Sequence, residues 1–153
     1  MLLDVLTKDC IVTGAKAPSW QQAGRMAGQL LVDKGAVEPR YIDAMLKAVE
    51  EVGMYIVVAP GIALFHGRPE DGVKAVGLSL VTFNPGVVFG VGDKDPVRLA
   101  FALAGVDHSA HLDLLAGLSK VLQDQDVVQG LMDAADVDEV ISLLKNKLEQ
   151  EGS

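Results

Sequence analysis

Apolar residues recur along this chain at two spacings, and the spacing separates helices from strands. Residues 10–15 (Cys-Ile-Val-Thr-Gly-Ala) predict a short first strand. Ser19 and Gln22 stand three apart, a capping-box pattern, and open a helix with Trp20, Ala23, Ala27, Leu30 and Leu31 on one face. Lys34-Gly35 ends it, Gly35 being the C′ residue. A second helix opens at Glu38-Pro39 with Pro39 at its first position. Its buried stripe is Ile42, Met45, Leu46, Val49 and Val52, and Gly53 stops it. Tyr55 to Ala59 is a continuous apolar, β-branched run, the pattern of a fully buried strand. Pro60-Gly61 breaks it, and Ile62 to Phe65 forms another short strand. Residues 75–84 predict a longer strand closed by Pro85-Gly86. Val87 to Gly90 is a brief strand or loop, Gly92 to Pro96 a turn, and Val97 to Ala104 a buried strand. A helix then opens at Asp107 to His111, capped by Asp107 or Ser109, with Leu112, Leu115, Leu118, Val121 and Leu122 at helical spacing. Two more helices are expected near 125–133 and 137–149. Strand, two helices, several strands, then helices is the order of an α+β domain in three α/β/α layers.

Composition narrows the picture. With 153 residues, the chain is expected to form a single domain, 1–153, with a sizeable core. Aromatics are 5% of residues, so that core must be built mainly from aliphatic side chains. A net charge of −8 argues against nucleic acid and anionic membranes as partners and favours a basic patch on a protein partner. The single cysteine, Cys10, excludes a disulfide framework and a Cys-based zinc site. No apolar run approaches the length of a membrane span, so no direct membrane insertion is expected. The first residues carry Asp4 and Lys8 and lack the apolar core of a signal peptide, which points to a cytoplasmic protein.

The chemistry concentrates on histidine. The run Gly61-Ile62-Ala63-Leu64-Phe65 stops at His66, which is followed by Gly67 and the charged turn Arg68-Pro69-Glu70-Asp71-Gly72. A neutral imidazole is a nucleophile near pH 7 and can carry a phosphoryl group or bind a metal. At the end of a rigid strand it is held in place, with Gly67 allowing close approach and the Arg68/Glu70/Asp71 cluster able to tune it. The plain alternative is a histidine in a surface turn. The other two histidines, His108 and His111, share one face of the predicted helix start. There they are either polar residues of a first turn or, beside free backbone N–H groups, ligands for a phosphate on His66. A three-histidine zinc site is conceivable but lacks a water-activating Glu in a helical motif. Walker, G-x-G-x-x-G and G-x-S-x-G patterns are absent.

Four segments occur in a recognisable order: Tyr41 to Leu46, Gly61 to Val73, Asp95 to Leu99, and His111 to Leu115. Together they resemble the enzyme IIA domains of the mannitol/fructose class of the bacterial phosphoenolpyruvate-dependent sugar phosphotransferase system. The chain is most similar to the ascorbate-type members, through Arg68-Pro69-Glu70-Asp71-Gly72 and through Tyr55 to Gly61 after the second helix. Two positions depart from the class. The Arg-Glu pair of mannitol and fructose members falls near Ala48-Val49 here, and Phe65 stands where proline usually precedes the histidine.

The resemblance implies a mixed β-sheet flanked by helices on both faces. It implies that His66 is the phosphoacceptor and His111 the second active-site histidine, hydrogen-bonding the phosphate, with Gly67, Arg68 and His108 in support. It further implies a phosphoryl donor, the histidine-containing phosphocarrier protein, and an acceptor, the IIB component of a permease for an ascorbate-like sugar. Neither cofactor nor metal is then required. Two alternatives stay open: a regulatory phosphorelay domain of the same fold, and a binding module that has lost phosphotransfer. An apolar patch around the site could serve a homodimer contact as readily as a partner.

Overall fold

The computed structural model describes residues 2–151. Its centre is a five-stranded sheet made of β1 (Ile11–Ala15), β2 (Val57–Ala59), β3 (Ile62–His66), β4 (Gly77–Val87) and β5 (Val97–Ala104), in the order β1-β4-β5-β3-β2. β1 pairs parallel with β4 and β3 parallel with β5, whereas β4–β5 and β2–β3 are antiparallel. The sheet is therefore mixed, as expected. The helices are α1 (Leu2–Val5), α2 (Trp20–Lys34), α3 (Arg40–Val52), α4 (His108–Leu122), α5 (Gln125–Asp133) and α6 (Val137–Glu151).

Strand alternation sorts the core into two slabs. Ala63, Phe65, Ala100 and Ala102 point toward α2 and α3, where Ala23, Ala27, Leu31, Met45 and Val49 cover them. Ile62, Leu64, Leu99, Phe101 and Leu103 point the other way, into Leu2, Leu114, Leu118, Val121, Leu131 and Leu144 of α1, α4, α5 and α6. Alanines on one face let α2 and α3 sit close, and leucines on the other fill the gap to a broader helical layer. Three layers follow from this division.

The helix caps form much as the sequence implies. Ser19 Oγ accepts the Gln22 N–H at 3.2 Å, Gly35 ends α2 in the left-handed region at φ 82°, and Asp107 caps α4 by accepting the Ala110 N–H at 2.8 Å. Pro39 is the N-cap rather than the first residue of α3.

Other expectations need correction. Tyr55 to Ala59 is not a fully buried strand. Only Val57–Ala59 pairs, as an edge hairpin strand on β3, and Tyr55 and Val58 are exposed. As an edge strand it pairs only with β3; Val57 and Ala59 pack against the two slabs, while Val58 faces solvent. β4 does not stop before Pro85-Gly86 but runs to Val87, which pairs with Val97. The ladder shifts register between Thr82 and Val87, so the proline, which has no N–H to give, lies in the irregular stretch. Val52, assigned to the buried stripe of α3, is 73% exposed on its last turn. On α4 it is Leu114, Leu118 and Val121 that are buried, while Leu112 is 49% exposed. Among the described residues no helix is long and apolar enough to cross a membrane.

Candidate functional site

The two histidine segments converge because β3 and β5 are parallel neighbours. His66 ends β3 directly opposite Leu103, and one residue past Leu103 β5 hands the chain to the turn that opens α4. Alternation gives His66 the same face as Ile62 and Leu64, the face on which α4 packs. There its ring meets that of His111, with centroids 5.2 Å apart and planes at 49°. Tyr55 closes the other flank edge-on, at 5.7 Å and 81°. Gly105 makes the approach of α4 possible. A Cβ on it would stand 3.0 Å from the backbone nitrogen and 3.1 Å from the Cα of His111, and a larger residue would push the helix start away.

His66 Nδ1 lies 3.1 Å from the carbonyl oxygen of Leu64. A carbonyl oxygen only accepts, so this bond requires the proton on Nδ1. In the neutral ring the lone pair is then on Nε2.

The loop behind His66 is tightly tied. Pro69–Asp71 forms one 3-10 turn, and the Asp71 carboxylate accepts the Arg68 N–H at 2.8 Å. Arg40 donates to the Glu70 carbonyl at 3.1 Å, the Glu38 N–H donates to Gly72 O at 2.8 Å, and Val37 bridges to Val73. The N–H of Gly67 is taken up by the Tyr41 hydroxyl at 2.8 Å.

A cleft of about 490 Å³ opens beside His66, lined by Lys47, Glu51, Val52, Tyr55 and Arg68 among others. Both cations sit on its rim. Lys47 is 3.8 Å from Glu51, and Arg68 is 3.4 Å from Glu70, both pairs well exposed. Such pairs exchange partners at little cost.

Burial lowers the pKa of His111 below its ordinary value of 6.5, and the neighbouring His66 and His108 lower it further. The imidazole facing His66 is thus kept neutral at neutral pH, when a second positive charge beside the nucleophile would be unfavourable.

Of the residues singled out from sequence, His66, Gly67, Arg68 and His111 surround one site. His108 is exposed on the first residue of α4, and its described influence is electrostatic, on His111. Phe65 turns into the α2/α3 slab, fully buried and 6.0 Å from the Phe89 ring, so it does not obstruct the approach to His66. Among the described residues no group of three or more His, Cys, Asp or Glu side chains could hold a metal ion. Sequence reasoning missed the roles of Tyr41, Lys47, Tyr55 and Gly105. Tyr41 carried one available clue: a phenol in an apolar stripe must find a polar partner when buried.

Comparisons with known proteins identify the family of the chain. Residues 4–147 match the family model of the phosphoenolpyruvate-dependent sugar phosphotransferase system, EIIA 2. The ascorbate-specific PTS system EIIA component of Escherichia coli K12 is 39% identical over 131 residues, covering 85% of each chain. The mannitol-specific cryptic phosphotransferase enzyme IIA of Escherichia coli superposes with a TM-score of 0.86 at 28% identity, over 95% of this chain and 98% of that one. The IIA subunit in the Escherichia coli complex of enzyme IIA mannitol with phosphorylated enzyme IIB superposes at 0.80 with 33% identity, over 92% and 97%. A chain matched along nearly its whole length, with a histidine pair formed where β3 ends and α4 begins, belongs to the EIIA 2 family, the phosphoryl-carrying IIA domains of the sugar phosphotransferase system.

Proposed function

We propose that His66 Nε2 is the atom that carries the phosphoryl group, and that His111 steadies it. The observation behind this is the Nδ1–Leu64 contact, which in the neutral ring leaves Nε2 unprotonated, on a half-buried side chain that lines the cleft. The donor is the histidine-containing phosphocarrier protein. The Nε2 lone pair forms the new P–N bond as the donor's P–N bond breaks, and that electron pair returns to the donor imidazole. The phosphorylated ring keeps its Nδ1 proton, and Leu64 O stabilises the positive charge spread over it. His111 is neutral before transfer. It gains a proton or donates its N–H once a phosphoryl dianion lies beside it, while Lys47 and Arg68 at the cleft rim can turn toward the same charge. Protein residues mainly position the group and neutralise its charge.

The acceptor is a IIB component, and the sugar is ascorbate or a close analogue. Support for the acceptor comes from the relative whose structure is a complex with phosphorylated IIB, and support for the sugar from the ascorbate-specific relatives. The exposed Val52 and Tyr55 beside the cleft, and Val106 and Leu112 on either side of His111 in the chain, suit two successive partners that dock and leave.

The test is intact-mass measurement after incubation with phosphoenolpyruvate, enzyme I and the phosphocarrier, beside His66→Ala. One acid-labile phosphoryl group on the wild type and none on the variant is the expected result. Absence of the label on the wild type, with an active relay, defeats the reading. Transfer from the loaded protein to an ascorbate-type IIB but not to a mannitol-type IIB checks the sugar.

A further inference from the structure

We propose that Tyr41 is a positioning residue for this transfer: its hydroxyl fixes the backbone on which the His66 imidazole is mounted and so keeps Nε2 free. The proposal rests on the phosphocarrier reading of His66. Tyr41 is the second residue of α3 and is 0% exposed. Its hydroxyl donates to the Leu103 carbonyl at 2.6 Å and accepts the Gly67 N–H at 2.8 Å. Leu103 is the residue opposite His66 in the β3–β5 ladder, and Gly67 is the residue that follows His66. One oxygen atom therefore joins α3, the last rung of the β3–β5 ladder and the chain leaving β3.

The hydroxyl is not needed to fill space. Phe65, Phe83 and Phe101 occupy fully buried sites of the same sheet without one. What it adds is two bonds to the backbone around the site. Burial, with a smaller contribution from Asp71, raises the phenol pKa to about 12 against the opposing pull of the Gly67 N–H, so it stays a donor. Gly67 is packed against the ring so closely that a Cβ there would be 3.0 Å from Tyr41 Cε1. If the peptide after His66 turns, the imidazole swings off Leu64 O, and the neutral ring redistributes toward the form with the proton on Nε2. That form carries its lone pair on Nδ1 and leaves none on Nε2 to attack with.

Tyr41→Phe is compared with Ser79→Ala. Ser79 Oγ donates to Ala27 O at 2.7 Å, is equally buried, and faces α2, so its loss removes one buried hydroxyl bond elsewhere. Two quantities are read: the imidazole nitrogen NMR shifts of His66 and the single-turnover rate of phosphoryl uptake. Wild type and Ser79→Ala should show one His66 tautomer, protonated on Nδ1, and uptake rates within about twofold of each other. Tyr41→Phe should show mixed tautomer shifts and uptake slowed about tenfold with the KM for the phosphocarrier unchanged. Should Tyr41→Phe not fold in buffer alone, the same measurements are made in trimethylamine N-oxide, which favours the compact state. An unshifted His66 tautomer in Tyr41→Phe overturns the proposal, as does an equal loss of rate in Ser79→Ala. If the wild type takes up no phosphate, the phosphocarrier reading fails by itself, and the tautomer shifts still decide whether Tyr41 positions the ring.

Discussion

The two imidazoles at the site carry different electrostatic duties. His111 is lowered below 6.5 by burial first, and then by its two histidine neighbours. The unfolded chain therefore takes up a proton on this residue before the folded one does. Stability from His111 is fully present above about pH 6.5 and is lost as the pH falls from there through the folded value. Urea midpoints at about pH 7.5 and 5.5 should differ less in His111→Gln than in the wild type. Phosphorylation of His66 reverses the local field, and an NMR titration should find the His111 pKa above its unmodified value once the group is attached. His111→Ala should slow phosphoryl uptake about 100-fold, the scale of one lost donor to a developing anion. His66 and His111 were legible in the sequence because imidazole is rare here and both stand where elements begin or end. Tyr41 and Tyr55 were not: Tyr41 stands at the start of an amphipathic helix and Tyr55 in an apolar run, and neither pattern says what the ring or hydroxyl meets. What Tyr41 bonds to lies 26 and 62 positions away.

Elements place these residues by contact between units distant in sequence. The turn from β5 into α4 works because Gly105 lets backbone meet backbone. Gly105→Val should leave most of the sheet intact yet displace His111, so phosphoryl uptake falls while thermal unfolding changes far less than for a core truncation; both can be measured on one preparation. β5 is paired on both sides and buried almost throughout, whereas β2 is a three-residue edge. Amide exchange should be slowest in β5 and its β3 and β4 partners and fastest in β2. Strand limits were readable where burial is two-sided: Val97–Ala104 came out as the spacing implied. They were misread where tertiary pairing decides. A run of β-branched residues at Tyr55 to Ala59 looks central by composition, but nothing in it shows that the second neighbour is missing. The shift in register that carries β4 through Pro85 is likewise set by β5, not by the local sequence.

For the whole molecule, a net charge of −8 is combined with exposed apolar side chains at the cleft, Val52 and Tyr55, and near His111 in the chain, Val106 and Leu112. On the proposed function, charge and contact would divide the work of docking: the field would attract a basic partner from a distance, and the apolar side chains would hold it briefly. Raising the salt concentration should slow loading by the phosphocarrier through its association rate. Leu112→Asp should raise the KM for that partner with little change in melting temperature, since the side chain is already half in water. The parallel pairing of β3 with β5 has one more consequence. Everything that holds His66 from its own side, from Tyr41 to the Arg68–Asp71 turn, precedes the Gly90–Gly92 bend, and Leu103, Gly105 and His111 all follow it. A chain severed at that bend would divide the site into two pieces, neither able to hold phosphate in place. Their complementation on mixing, read as recovered phosphate uptake, would report the insertion of β5 between β3 and β4.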